Sequence, residues 1–215
     1  MNSSREIASQ LLRIKAVFLR PWEPFTWASG IKSPIYCDNR LILTDVQARN
    51  VVENAIASAV REFFPEAECL MGTSTAGIAH AALAAGILSL PMGYVRSSAK
   101  DHGRQNKIEG RLEPGTKVVV IEDLISTGGS VIETVEALRE AGAVVLGVVS
   151  IFTYGMQKGL DALAAHSIEN HSLTCLDELL EEAAASQYIK ENDKARVIAF
   201  RNNPSDERWI SATEA

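Results

Sequence analysis

Two adjacent carboxylates, Glu122 and Asp123, follow four apolar β-branched residues, Val118 to Ile121, which predict a strand buried on both faces. Paired carboxylates at the end of a buried strand are costly unless they bind something. A loop of small hydroxyl and glycine residues follows at 126–130, and a helix is predicted after it. Helix N-termini bind anions through their free N–H groups, while carboxylates suit hydroxyl groups better than phosphate. The segment therefore predicts a cradle for a ribose 5-phosphate.

The alternative interpretation of this loop is an ordinary βα turn whose Ser or Thr caps the helix. The tetrapeptide Thr-Gly-Gly-Ser at 127–130 favours that interpretation when it is taken alone. The adjacent Glu122 and Asp123 favour the phosphate site instead. The segment is not a P-loop of nucleotide triphosphatases, because it lacks the Gly-Lys-Ser/Thr ending.

A second polar segment, residues 96–107, follows a predicted strand and has the length and polarity of a mobile lid over an anion. Its cations and its histidine are Arg96, Lys100, His102, Arg104 and Lys107. Arg96 lies next to the strand and suits a fixed bidentate phosphate contact. Lys100 and His102 are two residues apart, so both can reach one diphosphate. A solvated surface loop is the alternative, and the neighbouring phosphate-type motif favours the lid.

The alternation of strands and helices predicts a parallel sheet covered on both faces. Helices are predicted at about 4–19, 45–64, 78–85, 128–141, 156–165, 176–185 and 187–200, and strands at 69–71, 92–95, 117–122 and 143–152. Loops that follow parallel strands meet at one edge of the sheet, so the loops after 69–71, 92–95 and 117–122 should converge on one site. The first of them, residues 72–77, is a weaker anion-loop candidate, because a glycine-bounded βα turn explains it equally well.

Composition bounds the class of protein. The chain has 215 residues, is 47% hydrophobic and carries a formal net charge of −6. This predicts a domain with a substantial core and argues against general nucleic-acid binding. No apolar run approaches the roughly 20 residues of a membrane span. Three widely spaced cysteines form no metal pattern and predict reduced thiols in a cytoplasmic protein: Cys37, Cys69 and Cys175.

Three segments resemble known motifs. Residues 118–130 resemble the phosphoribosyl pyrophosphate (PRPP) motif of type I phosphoribosyltransferases. Residues 94–103, which include Ala-Lys-Asp-His-Gly at 99–103, are similar to the catalytic loop of orotate phosphoribosyltransferases, and residues 25–36 are similar to an N-terminal block of the same family. The resemblance covers about residues 20–160.

The resemblance implies a fold and a domain organisation. It implies an α/β, parallel-sheet type I phosphoribosyltransferase fold in a single domain over 1–215. It implies a small N-terminal hood at about 1–40, a core at about 41–200, a flexible catalytic loop and a polar C-terminal tail at 202–215.

It also implies an activity, in which ribose 5-phosphate passes from PRPP to N1 of orotate, giving orotidine 5′-monophosphate and diphosphate in pyrimidine (UMP) biosynthesis. Catalytic roles would fall to Lys100, His102 and Asp123, and Ser126 would also lie close to orotate. The residues that the resemblance places at PRPP are Arg96, Lys100, His102, Glu122, Asp123, Leu124, Ile125, Ser126, Thr127, Gly128, Gly129 and Ser130. Mg²⁺ would be carried by PRPP without direct protein ligands. The partners would be the two substrates and a second copy of the chain, in a homodimer that shares the catalytic loop across subunits.

Four positions depart from the pattern of many family members. Ala28 and Ser97 stand where a lysine is common, and Ala76 follows Thr75 where a Tyr-Lys pair is common. Tyr154 stands near the place of a base-binding arginine. Two alternatives therefore stay open at this stage: a phosphoribosyltransferase for a purine or another base, and a PRPP-sensing regulator with the same fold and no catalysis.

Overall fold

The computed structural model describes residues 4–26, 30–97 and 107–211. Lys100, His102 and Ala28 therefore lie outside the described residues. The strands are β1 Val17–Leu19, β2 Phe25–Thr26, β3 Lys32–Ser33, β4 Ile35–Cys37, β5 Cys69–Thr73, β6 Met92–Val95, β7 Ile108–Glu109, β8 Lys117–Ile125, β9 Val144–Thr153 and β10 Asn170–Cys175. The α-helices are α1 Ser4–Arg13, α2 Val46–Phe63, α3 Ala76–Leu88, α4 Gly129–Glu140, α5 Gln157–Ala165, α6 Leu176–Ala185, α7 Asp193–Asn202 and α8 Arg208–Ser211. A 3₁₀ helix covers Asn39–Thr44.

A six-stranded sheet forms the centre, with strand order β10-β9-β8-β5-β6-β7. Its strands pair in parallel except for β7, which runs antiparallel to β6. Both faces of β8 are buried: Val119 and Ile121 pack in the core with α1, α2, α3, α6 and α7, whereas Val118 and Val120 pack in the core with α4 and α5. The period of two places alternate side chains in the two cores. The predicted parallel sheet with two covered faces is confirmed.

Three neighbouring strands position the site. In the sheet, β5 lies between β8 and β6, and all three run in the same direction. Their carboxyl ends, at Thr73, Val95 and Ile125, therefore lie along one edge. Among the described residues, Ser74, Arg96 and Ser130, which follow these three strands, line one cleft there.

The N-terminal segment differs from the prediction of one helix over 4–19. Helix α1 ends at Arg13, Lys15 adopts a left-handed φ of 56°, and β1 begins at Val17. The apolar spacing continues past Arg13, but Val17 and Leu19 are buried in a strand that pairs antiparallel with β4. Long-range pairing thus overrides the local helical pattern. The boundary between hood and core stays a prediction.

The C-terminal part contains more structure than predicted. The strand β10 was missed, and the helix expected over 187–200 begins at Asp193. Within the polar tail expected at 202–215, α8 buries Trp209, whose ring lies 5.7 Å from that of Phe200. Arg196 Nη1 also donates hydrogen bonds to the main-chain oxygens of Trp209 and Ile210. Among the described residues, none of the helices has the length and apolar character needed to cross a membrane.

Candidate active site

Glu122 lies near the carboxyl end of β8 and is only 4% exposed. Thr73 Oγ1 and the Asp123 main-chain N–H donate hydrogen bonds to its Oε1 at 2.7 and 2.9 Å. Ser130 Oγ donates to its Oε2 at 3.0 Å. Both carboxylate oxygens are therefore engaged by protein groups, as a buried acid requires.

Burial raises the pKa of Glu122 to about 7, and the neighbouring Asp123 adds to the shift, while the hydrogen bond from Thr73 opposes it. The ordinary pKa of this carboxyl is 4.5, so between about pH 4.5 and pH 7 the folded state keeps a proton that the unfolded chain has lost. The contribution of Glu122 to the free energy of unfolding therefore falls as the pH rises through this window and is flat above it.

We expect Glu122→Gln to gain stability relative to the wild type as the pH rises from 5 to 8, by on the order of a few kcal/mol. Glutamine has almost the same shape but does not titrate, so the variant avoids the cost of a buried ionised carboxylate. Urea denaturation of both proteins at several pH values measures the difference. An unchanged difference across this range would contradict the prediction.

Asp123, the second carboxylate, is half-buried. A side chain from the N-terminal segment forms a hydrogen bond with its main chain. Its carbonyl oxygen accepts a hydrogen bond of 2.7 Å from Nδ2 of Asn39, a residue that is 1% exposed. Asn39 is not among the predicted site residues. No local pattern identifies it, because 84 residues separate the two partners.

The loop between β8 and α4 presents main-chain N–H groups at the sheet edge. Gly128 precedes the helix with a left-handed φ of 82°, a conformation that favours glycine. Within the described part of the chain, no side chain caps this helix end. The first N–H groups of α4 therefore lack partners inside the helix, and Thr127 and Ser130 are exposed beside them. This geometry fits the predicted phosphate site.

Ser126, predicted near orotate, is half-buried in the same loop. Helix α5 packs closely behind it, because a Cβ at Gly159 would lie 2.3 Å from the main-chain oxygen of Ser126. A glycine at 159 is thus required for this loop to lie against α5.

The loop between β5 and α3 is also held close to β8. The peptide bond between Ser74 and Thr75 is cis. A Cβ at Gly77 would lie 2.4 Å from the main-chain oxygen of Ile121 and 2.5 Å from Oγ1 of Thr73. The first turn of α3 can approach the PRPP-like motif this closely only because residue 77 is glycine.

Gly77→Ala is expected to lower the free energy of unfolding by about 1–3 kcal/mol, because α3 or Thr73 must move to admit the methyl group. The matched control is Gly86→Ala in the same helix, where a Cβ meets no atom within 4 Å. That control should be stabilised by about 0.5–1 kcal/mol, since alanine is the better helix former. Urea denaturation measures the free energy of unfolding of both variants. An equal change in the two would contradict the prediction.

A small cleft of about 40 Å³ lies among these loops, between Arg96, Ser74, Lys107 and Ser130. In the described residues, Nη1 of Arg96 is buried without a hydrogen-bond partner, and the carboxylate of Glu109 lies 3.6 Å from it. A guanidinium nitrogen without a hydrogen bond at this position is suited to an anionic ligand, because charge-assisted bonds to phosphate are strong.

Tyr154 stands where the resemblance led us to expect an arginine, and it is 3% exposed. Its ring packs edge-on against Phe152 at 5.3 Å, and its main-chain N–H donates to the oxygen of Ile125 at 3.0 Å. Burial raises the pKa of the phenol above its usual range, so the side chain is neutral at physiological pH. Tyr154 therefore holds the end of β8 through its main-chain hydrogen bond, packs its ring on β9 and supplies no positive charge for a base.

Known proteins are similar to this chain over most of its length. Residues 42–175 match the phosphoribosyl transferase domain family. The chain is 53% identical over 208 residues to the orotate phosphoribosyltransferase of Bacillus cereus (strain G9842), with 97% of this chain and 99% of that protein covered. It is 56% identical over 204 residues to that of Bacillus subtilis (strain 168), with 95% and 94% covered. The crystal structure of orotate phosphoribosyltransferase from Aeropyrum pernix superimposes with a TM-score of 0.74 at 30% identity and covers 83% of this chain and 98% of that one. The chain belongs to the orotate phosphoribosyltransferase family, within the phosphoribosyltransferases.

Proposed function

We propose that this protein transfers the ribose 5-phosphate group of PRPP to N1 of orotate, forming orotidine 5′-monophosphate and diphosphate in pyrimidine biosynthesis. The observation that carries this proposal is the identity of 53% and 56%, over nearly the whole chain, to relatives named orotate phosphoribosyltransferase. The described residues at the carboxyl edge of β5, β6 and β8 support it, because they combine main-chain donors, a half-buried arginine and paired carboxylates.

The reaction breaks the bond between C1′ and the diphosphate oxygen, and the electron pair of this bond leaves with diphosphate. The new bond joins C1′ to N1 of orotate. Orotate N1 is stabilised as an anion by ring conjugation, so no strong protein base is required. Positive charge grows on the ribose and negative charge on the leaving group, so the protein must stabilise charge.

The site residues take roles that match this charge distribution. Asp123 lies at the ribose and favours its developing positive charge. Arg96, Lys100 and His102 neutralise the leaving diphosphate, and the loop after β5 provides a second anion site. Closure of the lid that carries Lys100 excludes water, which would otherwise hydrolyse PRPP. Support for Arg96 is its buried Nη1 in the cleft.

The loop that follows β8 holds the 5-phosphate, and Ser126 also lies near orotate. The residues assigned to PRPP along this segment are Glu122, Asp123, Leu124, Ile125, Ser126, Thr127, Gly128, Gly129 and Ser130. The uncapped first turn of α4 supports this assignment.

The proposal also includes Mg²⁺, a homodimer that shares the catalytic loop across subunits, and a cytoplasmic location. Within the described residues, no cluster of three or more His, Cys, Asp or Glu side chains is placed to hold a metal ion. In this proposal PRPP carries Mg²⁺, which would supply positive charge next to the diphosphate. Sedimentation of the wild type tests whether the protein is a dimer. Mixing a Lys100 variant with a variant of a PRPP-motif residue tests whether the catalytic loop is shared, because hybrid dimers would then recover activity.

The experiment that tests the function follows the ultraviolet absorbance of orotate with purified protein, Mg²⁺ and PRPP. We expect a loss of orotate signal that depends on PRPP, and no reaction when adenine, guanine or hypoxanthine replaces orotate. PRPP binding in calorimetry without orotate consumption would contradict the proposal. That result would favour another acceptor base or a PRPP sensor.

A further inference from the structure

Asn39 joins the segment before α2 to the end of β8. It is the first residue of the 3₁₀ helix Asn39–Thr44 and is 1% exposed. Its Nδ2 donates a hydrogen bond of 2.7 Å to the main-chain oxygen of Asp123. The direction of this bond is fixed, because a carbonyl oxygen can only accept. One buried amide therefore holds the main chain at the residue whose carboxylate the proposed reaction uses.

This contact takes the place of a strand neighbour. The pairing of β5 with β8 ends at Ile121, whereas β8 continues to Ile125 and stays paired with β9 on its other side. On the β5 side, Oγ1 of Thr73 donates to the oxygen of Ile121 at 3.2 Å. Peptide groups alternate in direction along a strand, so the oxygen of Asp123 faces the same side as that of Ile121. The amide of Asn39 thus binds β8 on the side that β5 leaves beyond Ile121.

Cys37 orients this amide from its other end. The thiol Sγ donates to Oδ1 of Asn39 at 3.3 Å. Burial raises the pKa of the Cys37 thiol well above its usual range, and the carboxylates of Asp123 and Asp38 add to the shift. The thiol therefore keeps its proton at neutral pH and remains a donor. Because Oδ1 faces the thiol, Nδ2 is left to face Asp123.

Burial separates Asn39 from the space that a substrate occupies. Its amide is 1% exposed, so a substrate cannot reach it, whereas Asp123 is half-buried at the carboxyl edge of the sheet. An effect of Asn39 on the reaction must therefore pass through Asp123. A displacement of about 1 Å in a reacting group can lower a rate by about 10²-fold, so a contact that fixes the main chain at this residue has a large effect on the rate.

We propose that Asn39 is a positioning residue, which fixes the main chain at Asp123 and thereby sets the distance between the carboxylate of Asp123 and the ribose. This inference rests on the proposed function, in which the ribose lies next to Asp123 and develops positive charge. That charge develops only as the bond to diphosphate breaks. The contact of Asn39 therefore matters for kcat much more than for the binding of PRPP.

Asn39→Ala removes the donor, and we expect its kcat to fall about 10- to 100-fold. Its KM for PRPP should stay within about threefold of the wild type. Steady-state kinetics with orotate and PRPP measure both constants, at a temperature where thermal unfolding shows that the variant is folded. A wild-type kcat together with a lower unfolding temperature would identify a purely structural role and overturn the proposal.

The matched control is Asn170→Ala in β10, the strand at the edge of the sheet opposite β7. Asn170 is half-buried, and its Nδ2 donates to Oγ of Ser172 at 2.9 Å. This variant also removes a hydrogen-bonded amide, but it should leave kcat unchanged. A loss of kcat equal to that in Asn39→Ala would reveal a general effect of losing such an amide and would overturn the proposal.

A double variant shows whether Asn39 acts through Asp123. In Asp123→Asn the charge that Asn39 positions is already absent. We therefore expect Asn39→Ala/Asp123→Asn to have a kcat within about threefold of that of Asp123→Asn alone. Fully additive losses would show that the two residues act independently and would overturn the proposal.

If Asn39→Ala does not fold, Cys37→Ala takes its place, because it disturbs the orientation of the amide and leaves the amide in the protein. We expect its kcat to fall about two- to fivefold, as the loss of one hydrogen bond predicts. Cys37→Ser keeps a donor and should have at least about twice the kcat of Cys37→Ala. A wild-type kcat in Cys37→Ala would in that case overturn the proposal.

Orotate consumption by the wild type is measured before any variant. Activity in the wild type together with an unchanged kcat in Asn39→Ala rejects the positioning role alone. Absence of both activity and PRPP binding in the wild type rejects the proposed function.

Discussion

Asp123→Asn is expected to lower kcat by about 10²–10³-fold while leaving the folded structure intact. Asparagine keeps the shape of the side chain and the main-chain bond from Asn39, but it removes the negative charge beside the ribose. The transition state develops positive charge at that place, so the loss falls mainly on kcat and less on the affinity for PRPP. Steady-state kinetics with orotate and PRPP measure the effect.

The matched control for this charge change is Asp161→Asn on α5, where the carboxylate is exposed and accepts a hydrogen bond from Gln157 at 2.7 Å. It should leave kcat within twofold of the wild type. Asp123→Asn should not lower the thermal unfolding temperature, since the side chain is half-buried and its charge disfavours ionisation of the buried Glu122. A kcat close to that of the wild type in Asp123→Asn would remove Asp123 from the mechanism.

Lys100→Ala is expected to lower kcat by about 10²–10³-fold, as the loss of one donor to transition-state charge does in other enzymes. Its partner in the proposed reaction is the leaving diphosphate, whose charge increases as the C1′–O bond breaks. Diphosphate release at saturating orotate and PRPP measures the loss. Calorimetric binding of PRPP should change much less than kcat, because the charge of the leaving group is largest in the transition state.

Lys158→Ala on α5 removes the same charge from an exposed position and serves as the control. It should have wild-type kinetics. If the two lysine variants have the same kcat, Lys100 has no part in the chemistry, and the similarity of the 94–103 segment to a catalytic loop does not extend to its function.

The sequence alone determined the parts of this protein that are contiguous in the chain. A strand, a loop and a helix N-terminus follow one another within residues 118–140, so residue types and the change of hydrophobic period were enough to predict β8, α4 and the anion loop between them. The order of strands and helices likewise predicted a parallel sheet whose loops converge at one edge. These features depend on local pattern and on general rules of chain topology.

Tertiary structure decided the contacts that join distant segments. Asn39 reaches the oxygen of Asp123 across 84 residues, and Thr73 reaches Glu122 across 49. Neither contact has a local signature, because Asn and Thr are common in loops and at strand ends. The same limit explains β1, where helical spacing continued past Arg13 but pairing with β4 determined the conformation. The sequence determines the chemical types of the site residues. The hydrogen bonds that hold these residues at fixed distances form only when the chain folds, because they join partners that are far apart along the chain.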